Sequence, residues 1–326
     1  MSQKLRFFTG LQATGTITLG NYLGVIRPIL DIQEKGIHEI IIMIADLHSL
    51  TVPKKDFDYS QKGWETAALL YACGLDKNCK IFIQSQIKEH LELNWLLAPF
   101  VTISELSNMI QYKEKKKEQE TGSLALLTYP VLQAADIFLY DADLIIVGQD
   151  QQQHTELAQH IAQKFNNFYD KKLLKLPQFT ISHFGAKIMG LKNPQKKMSK
   201  SENDYLTLLD SPEVIKKKIS QAETDSENKI YYDPSKKPGI SNLLTIYALL
   251  NGKGIKEVEE ELKSTNYHQF KIKLSHLLNE KLAVIQKKYN NYLSHVKGMV
   301  EKNNTYLKDL AERKIKIIKK ELRILY

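Results

Sequence analysis

Apolar residues in the first two hundred positions follow two alternating periods. Short β-type runs predict strands at 5–8, 40–44, 80–83, 144–147 and 186–189, and the continuous apolar run at 40–44 is typical of a strand buried on both faces. Apolar residues at helical spacing predict helices at about 21–35, 59–72, 88–98, 102–117, 129–140 and 148–165. This alternation is typical of an α/β fold with a parallel, doubly wound sheet. Pro28 lies inside the first helix, where we expect a bend or an early end.

The pattern changes after Asp210. Asp210, Pro212 and Glu213 predict a capped helix start, and helical patterns continue to the end of the chain without a convincing strand. We therefore predict two domains: a Rossmann-type domain over 1–205 and an all-helical region over 206–326. The last helix is a candidate to pack back on the first domain. A chain of 326 residues also exceeds the usual size of one hydrophobic core.

Net charge is concentrated in the helical region. The chain carries +9, and residues 251–326 hold 17 lysine and arginine against 9 aspartate and glutamate. This favours contact with a polyanion, although solvated lysine-rich helix faces are about as common. The apolar run Ile40–Ala45 stops at Asp46, far short of the roughly 20 residues that a bilayer needs. We expect a cytoplasmic protein without a membrane contact.

The segment Lys197-Met198-Ser199-Lys200-Ser201 is the strongest chemical signal. It should be an exposed loop, where two lysines and two hydroxyls suit a polyphosphate, and the cations can offset charge on a departing pyrophosphate. By composition alone a basic surface loop is the more frequent explanation. The order KMSKS, however, is the signature loop of the class I aminoacyl-tRNA synthetases, which the chain resembles.

A glycine-containing loop follows the first predicted strand, at the sheet edge where α/β proteins bind ligands. It runs from Thr9 to Gly15 and leads into Thr18-Leu19-Gly20-Asn21. Glycines allow close backbone approach to a nucleotide, although two glycines alone are most often an ordinary turn. The TLGN tetrapeptide resembles the tryptophan-specific branch of the family. Thr18 and Asn21 stand where the general pattern H-I-G-H has histidines.

Three polar residues lie on one face of a predicted buried helix. Tyr129, Gln133 and Asp136 are spaced i, i+4 and i+7. They either pair within the core or line a pocket for a polar ligand. The segment resembles Y-P-x-L-x-A-A-D of the tryptophan branch, in which the aspartate meets the indole N–H. Gln133 also resembles the tyrosine branch, so this motif leaves the amino acid open.

A polar string at a strand-to-helix junction favours tryptophan. Gly148-Gln149-Asp150-Gln151 continues to His154 and resembles the tryptophan-branch form V-G-x-D-Q-x-x-H-x-E-L. Asp150 as a plain helix cap is about as frequent as a ribose contact. His154 is expected to be structural. Asp46-Leu47-His48 ends the second strand, where His48 either faces the substrate or is a satisfied core histidine.

The resemblance implies a tryptophan–tRNA ligase reaction that uses ATP and Mg²⁺, with tRNA rather than DNA as the polyanion and a homodimer as the assembly. The implied catalytic residues are Lys197, Lys200, Ser199, Ser201, Thr18 and Asn21. The implied ATP site holds Gln12, Ala13, Thr14, Gly20, Asn21, Gly148, Gln149, Asp150, Ile188, Lys197, Met198, Ser199, Lys200 and Ser201. The implied tryptophan site holds Asp136, Tyr129, Gln133, Gln151, Phe8 and His48. No protein-bound metal is expected.

Three alternatives stay open at this point. A nucleotidyltransferase or adenylate-forming ligase on a related fold would not use tRNA, and the basic C-terminal region argues against it. A non-catalytic tRNA-binding regulator is disfavoured by the intact Lys197 and Lys200. Within the family, the tyrosine-specific enzyme is the second candidate. The helices at 88–117 are the predicted dimer interface.

Overall fold

The computed structural model describes residues 4–13, 15–118, 122–148, 151–181, 187–199 and 204–324. Among them a parallel sheet of five strands forms in the order β3-β2-β1-β4-β5. The strands are β1 Arg6–Gln12, β2 Glu39–Ala45, β3 Cys79–Ile83, β4 Leu144–Val147 and β5 Gln178–Ile181. The predicted doubly wound sheet is therefore confirmed.

Helices connect the strands and then continue alone to the C-terminus. The helices before β5 are α1 Leu19–Asn21, α2 Arg27–Glu34, α3 Asp46–Ser49, α4 Tyr59–Ala72, α5 Glu89–Leu97, α6 Ile103–Ser107, α7 Ile110–Glu118, α8 Leu124–Phe138 and α9 Gln152–Phe168. The helices after it are α10 Pro212–Ser220, α11 Pro238–Asn251, α12 Ile255–Leu262, α13 Tyr267–Leu293 and α14 Val296–Glu321.

Alternate residues of β2 enter two different cores, which explains its continuous apolar run. Ile40 and Ile42 face one core, which also receives α4 and helices α10 to α13. Ile41 and Met43 face the other, which receives α5, α8 and α9. Both faces of the sheet are thus covered, as parallel sheets require.

The C-terminal helix α14 crosses from one core to the other. Val296 and Val300 pack in the first core, and Leu307 and Ile315 pack in the second. The helix also runs along β3 and α5. The helical region shares both cores with the sheet, so packing does not mark a boundary between them. The division of the chain at 205 and 206 therefore stays a prediction.

The predicted strand at 186–189 is wrong where the structure describes it. Ala186 lies outside the described residues, and Met189 makes a single antiparallel bridge to Lys197. The chain turns back on itself here and does not join the sheet. The fifth strand is β5, a short segment that the apolar pattern missed.

Two local expectations also change. Ser211, and not Asp210, caps α10, because its side chain accepts from Val214 N. The carboxylate of Asp210 instead accepts from Thr207. Before Pro28 the chain forms a π-helical turn, Tyr22–Ile26, so the expected disturbance appears as a change of helical register between α1 and α2.

Candidate active site

A cavity of about 1300 Å³ opens at the carboxyl ends of the strands. Ligands of open α/β sheets bind at this edge. The walls come from β1, α8, the start of α9 and the signature loop. The candidate residues that line the cavity are Phe8, Gln12, Thr18, Asn21, His48, Tyr129, Gln133, Asp136, Gly148, Gln151, Lys197, Met198 and Ser199.

Asp136 lies at the wall of this cavity with no exposed surface. Its carboxylate receives Gln84 Nε2 at 2.8 and 3.0 Å, His48 Nε2 at 2.8 Å and His90 Nδ1 at 2.6 Å. Burial works to raise the pKa of Asp136, but the bonds from His48 and His90 outweigh it and lower the pKa to about 2. The group is therefore a carboxylate at neutral pH.

Tyr140 stands behind His90, on the side away from Asp136. Its hydroxyl lies 2.8 Å from His90 Nε2. Burial, with Asp136 and Glu89 nearby, raises the pKa of Tyr140 well above its usual value, so the phenol keeps its proton. The imidazole of His90 is therefore held at both ring nitrogens, by Asp136 at Nδ1 and by Tyr140 at Nε2. Through this ring, Tyr140 helps to position the carboxylate.

The sequence did not reveal Gln84, His90 or Tyr140 as part of the site. They lie 52, 46 and 4 residues from Asp136 along the chain, in or beside different elements. The position of Gln84 in the sequence was nevertheless a usable signal, because Gln84 directly follows β3 at the carboxyl edge of the sheet, where ligands bind. His48 was predicted as a candidate from the corresponding position after β2.

A second polar chain joins α8 to the start of α9. Tyr129 OH donates to Gln111 Oε1 at 2.8 Å and lies 2.9 Å from His154 Nε2. His154 Nδ1 contacts Gln151 Oε1 at 2.8 Å, and Gln133 Nε2 contacts the same oxygen at 3.4 Å. His154 is buried, and its two ring nitrogens contact the side chains of Tyr129 and Gln151. These contacts agree with the structural role expected for His154.

Thr18 and Asn21 bond to each other at the beginning of α1. Thr18 Oγ1 accepts from Asn21 N at 3.1 Å and donates to Asn21 Oδ1 at 2.7 Å. Thr18 is thus a helix cap as well as a lining residue. Nearby, Gly15 has a φ of +70° and lies so close to Lys62 that a Cβ would overlap it. Because Lys62 can move aside, it is the left-handed backbone that favours a glycine at this turn.

Three ATP-site candidates lie behind the cavity wall. Ala13 and Ile188 are buried and do not line the cavity. Gly20 faces Met198 and Ile188, with a Cβ position 3.5 and 3.7 Å from their Cβ atoms. These are ordinary van der Waals distances, so Gly20 lies against the signature loop without a close approach that would exclude a side chain. The candidates Thr14, Gln149, Asp150, Lys200 and Ser201 lie outside the described residues.

The parts of the chain that the structure describes contain no group of three or more histidine, cysteine, aspartate or glutamate residues placed to bind a metal ion. Within the same ranges, every helix falls short of the length and apolarity needed to cross a bilayer.

The similarity of the chain to known proteins shows the family to which it belongs. Residues 1–283 match the family described as tRNA synthetases class I (W and Y), and the chain belongs to that family. A protein named tryptophan–tRNA ligase from Caldanaerobacter subterraneus subsp. tengcongensis is 45% identical over 290 residues, 88% of each chain.

Two solved structures share the fold over nearly the whole chain. The tryptophanyl-tRNA synthetase of Mycoplasma pneumoniae has 33% identity and a TM-score of 0.88, with 98% of each chain covered. The enzyme of Campylobacter jejuni, in complex with ADP and tryptophan, has 32% identity and a TM-score of 0.85, with 98% of this chain and 100% of that chain covered.

Proposed function

We propose that the protein is a tryptophan–tRNA ligase, which activates tryptophan with ATP and transfers it to the matching tRNA. Asp136 carries this proposal, because a buried carboxylate at the cavity wall is a suitable acceptor for the single N–H of an indole ring. The names of the similar proteins support the same substrate.

The reaction has two steps and needs no side-chain nucleophile. The tryptophan carboxylate attacks the α-phosphate of ATP, so that a carboxyl–phosphate bond forms and the bond to pyrophosphate breaks. A hydroxyl of the terminal ribose of the tRNA then attacks the carboxyl carbon, and AMP leaves. Positioning and charge stabilisation can supply the rate enhancement.

Tryptophan would reach Asp136 from the side of His48. Of the three side chains that donate to Asp136, His48 lines the cavity, whereas Gln84 and His90 do not. The carboxylate already accepts four close contacts, which is about its capacity. The indole N–H would therefore take over the bond of His48, while Gln84 and His90 hold the carboxylate in place.

The nucleotide would occupy the other part of the cavity. Thr14 and Asn21 would fix it, with Gly148, Gln149 and Asp150 at the ribose. Lys197 and Lys200 would balance the charge of the departing pyrophosphate. Mg²⁺ would arrive on the phosphate oxygens of ATP and offset part of their charge. In that role the metal needs few ligands from the protein.

The tRNA would contact the helical region, residues 206–326, which we propose as the anticodon-binding part. The excess of basic residues lies there, and such contacts act largely through phosphates. Binding should therefore weaken steeply as salt rises. ATP, tryptophan and tRNA occur together in the cytoplasm, where we propose that the protein works.

A second copy of the chain would cover an apolar surface around α5 and α6. Trp95 is 77% exposed, Ile103 75% and Phe168, at the end of α9, 72%. Leu91 lies one helical turn from Trp95 and is 51% exposed. Exposed apolar side chains in such number favour a homodimer interface. Sedimentation should show a dimer that Trp95→Glu dissociates; a wild-type monomer at micromolar concentration would contradict it.

The decisive experiment is amino-acid-dependent exchange of pyrophosphate into ATP, with each of the twenty amino acids in turn. We expect exchange with tryptophan alone, and transfer of labelled tryptophan to tRNA. Asp136→Asn should raise the half-saturating tryptophan concentration by about tenfold or more, because the indole loses its carboxylate partner. Exchange with tyrosine instead would overturn the assigned substrate, and no exchange would overturn the activity.

A further inference from the structure

The signature loop begins on a small hairpin. Met198 N donates to Ile188 O at 3.0 Å, and Gly190 N donates to Lys196 O at 2.8 Å. Residue 189 lies between these two bonds, so its own N–H and carbonyl point away from the hairpin. This outer edge is available to a third partner.

Asn242 of α11 is that partner. Its Oδ1 accepts from Met189 N at 2.9 Å, and its Nδ2 donates to Met189 O at 2.9 Å and to Gly190 O at 3.3 Å. The side chain is buried, and it bonds as the peptide group of a neighbouring strand would. A helix of the C-terminal region thereby holds the base of the signature loop.

Asp204 holds the other end of the loop. Its carboxylate accepts from the backbone N–H groups of Leu191 and Asn193, each at 2.8 Å, and of Lys192 at 3.0 Å. A Cβ on Gly190 would overlap this carboxylate, so glycine is required there. The chain leaving the loop is therefore tied to the turn that precedes the loop.

The beginning of α11 is anchored in its turn to α13. Lys237 is 3% exposed, and its Nζ lies 3.0 Å from Asp225 Oδ1 and 2.7 Å from the hydroxyl of Tyr267. It also donates to the Lys229 carbonyl at 2.8 Å. A continuous set of bonds thus runs from α13 through α11 to the hairpin.

We propose that Asn242 and Asp204 are positioning residues that set where the signature loop stands over the nucleotide. Asn242 ties the hairpin that leads into Lys197 to α11 of the helical region. This inference rests on the proposed role of Lys197 toward pyrophosphate.

The first test uses Asn242→Asp, which keeps the shape and removes both donors to the backbone carbonyls. Asn303→Asp is the matched control, because Asn303 is also buried and its Nδ2 donates to the Ile81 carbonyl at 3.0 Å in a distant part of the molecule. For Asn242→Asp we expect kcat/KM for ATP in exchange to fall by about tenfold or more, with the tryptophan Kd within about twofold. Asn303→Asp should lower the melting temperature without that selective loss.

A second readout follows the loop itself. Trypsin should cleave after Lys196 and Lys197 several times faster in Asn242→Asp and in Asp204→Asn than in the wild type, and no faster in Asn303→Asp. The digestion is followed by mass spectrometry on the folded protein. If Asn242→Asp does not fold, Asp204→Asn carries both measurements.

The results distinguish the positioning role of Asn242 and Asp204 from the proposed role of Lys197 toward pyrophosphate. Unchanged kcat/KM for ATP together with wild-type cleavage would overturn the positioning role, as would an equal loss of tryptophan affinity. Normal exchange by Lys197→Ala would instead overturn the pyrophosphate role of the loop, and the cleavage rates would still decide whether Asn242 and Asp204 hold it.

Discussion

At the scale of a single residue, Asp136 shows how hydrogen bonds can outweigh burial. A fully buried carboxyl group would ordinarily become neutral, since desolvation raises its pKa. His48 and His90 reverse this effect and lower the pKa of Asp136 to about 2. The carboxylate is consequently stable at the cavity wall before any substrate arrives.

The lowered pKa of Asp136 predicts a loss of stability in acid. The unfolded value is near 3.9, so the carboxylate contributes fully above about pH 4, and its contribution is lost as pH falls from about 4 to about 2. In urea unfolding, Asp136→Asn should be less stable at neutral pH and should lose less stability over this range than the wild type. Glu105, whose pKa is also about 2, is common to both proteins. If the free energy of unfolding fell equally with pH in the wild type and in Asp136→Asn, the prediction would be contradicted.

At the scale of elements, α11 depends on a close approach at its N-terminus. A Cβ on Gly239 would overlap the carbonyl oxygen of Glu223, a backbone atom that cannot swing away. Gly298, in α14, has nothing within 4 Å of the same position. The two helical glycines therefore differ in what a methyl group would meet.

Alanine at these two glycines should have opposite effects. Gly239→Ala should lower the free energy of unfolding by about 1–3 kcal/mol or more, because the helix must shift. Gly298→Ala should raise it by about 0.4–1 kcal/mol, because alanine restricts the unfolded chain. Chemical denaturation of both variants checks this. If the two variants changed the free energy of unfolding equally, the overlap with the Glu223 carbonyl would not be the cause of the effect at Gly239.

At the scale of the molecule, the C-terminal helix is part of the sheet domain's core. Leu307, Ala311, Ile315 and Ile318 of α14 pack into the second core. Among them Lys314 is buried as well, and its Nζ bonds to Asp141 and to the carbonyl of Leu173. The basic helical region is thus fastened to both sides of the catalytic sheet.

Lys314→Met should reveal the strength of this attachment. The variant keeps an apolar stem but leaves the Leu173 carbonyl without its donor, which should cost about 1–3 kcal/mol. Lys316→Met, two residues away on the exposed side, should change the free energy of unfolding by less than about 0.5 kcal/mol. Thermal unfolding compares them. A Lys314→Met protein as stable as the control would show that the bonds of Lys314 add nothing measurable to this attachment.

The sequence by itself determined the parts of the protein that depend on local pattern. Periodicity gave the parallel α/β sheet, the helical C-terminus and α4 with its bounds. Spacing placed Tyr129, Gln133 and Asp136 on the side of α8 that lines the cavity. These features were accessible because helices and strands repeat at fixed short intervals, which the order of residues records directly.

Only the tertiary structure decided which distant side chains act together. Gln84, His90 and Tyr140 join Asp136, and Asn242 joins a hairpin 53 residues before it. No period links such positions, because they meet where separate elements pack against the sheet. For the same reason, the described part of the strand expected at 186–189, residues 187–189, is one side of a hairpin. The signature loop and α11 set its partners, and its own apolar residues do not.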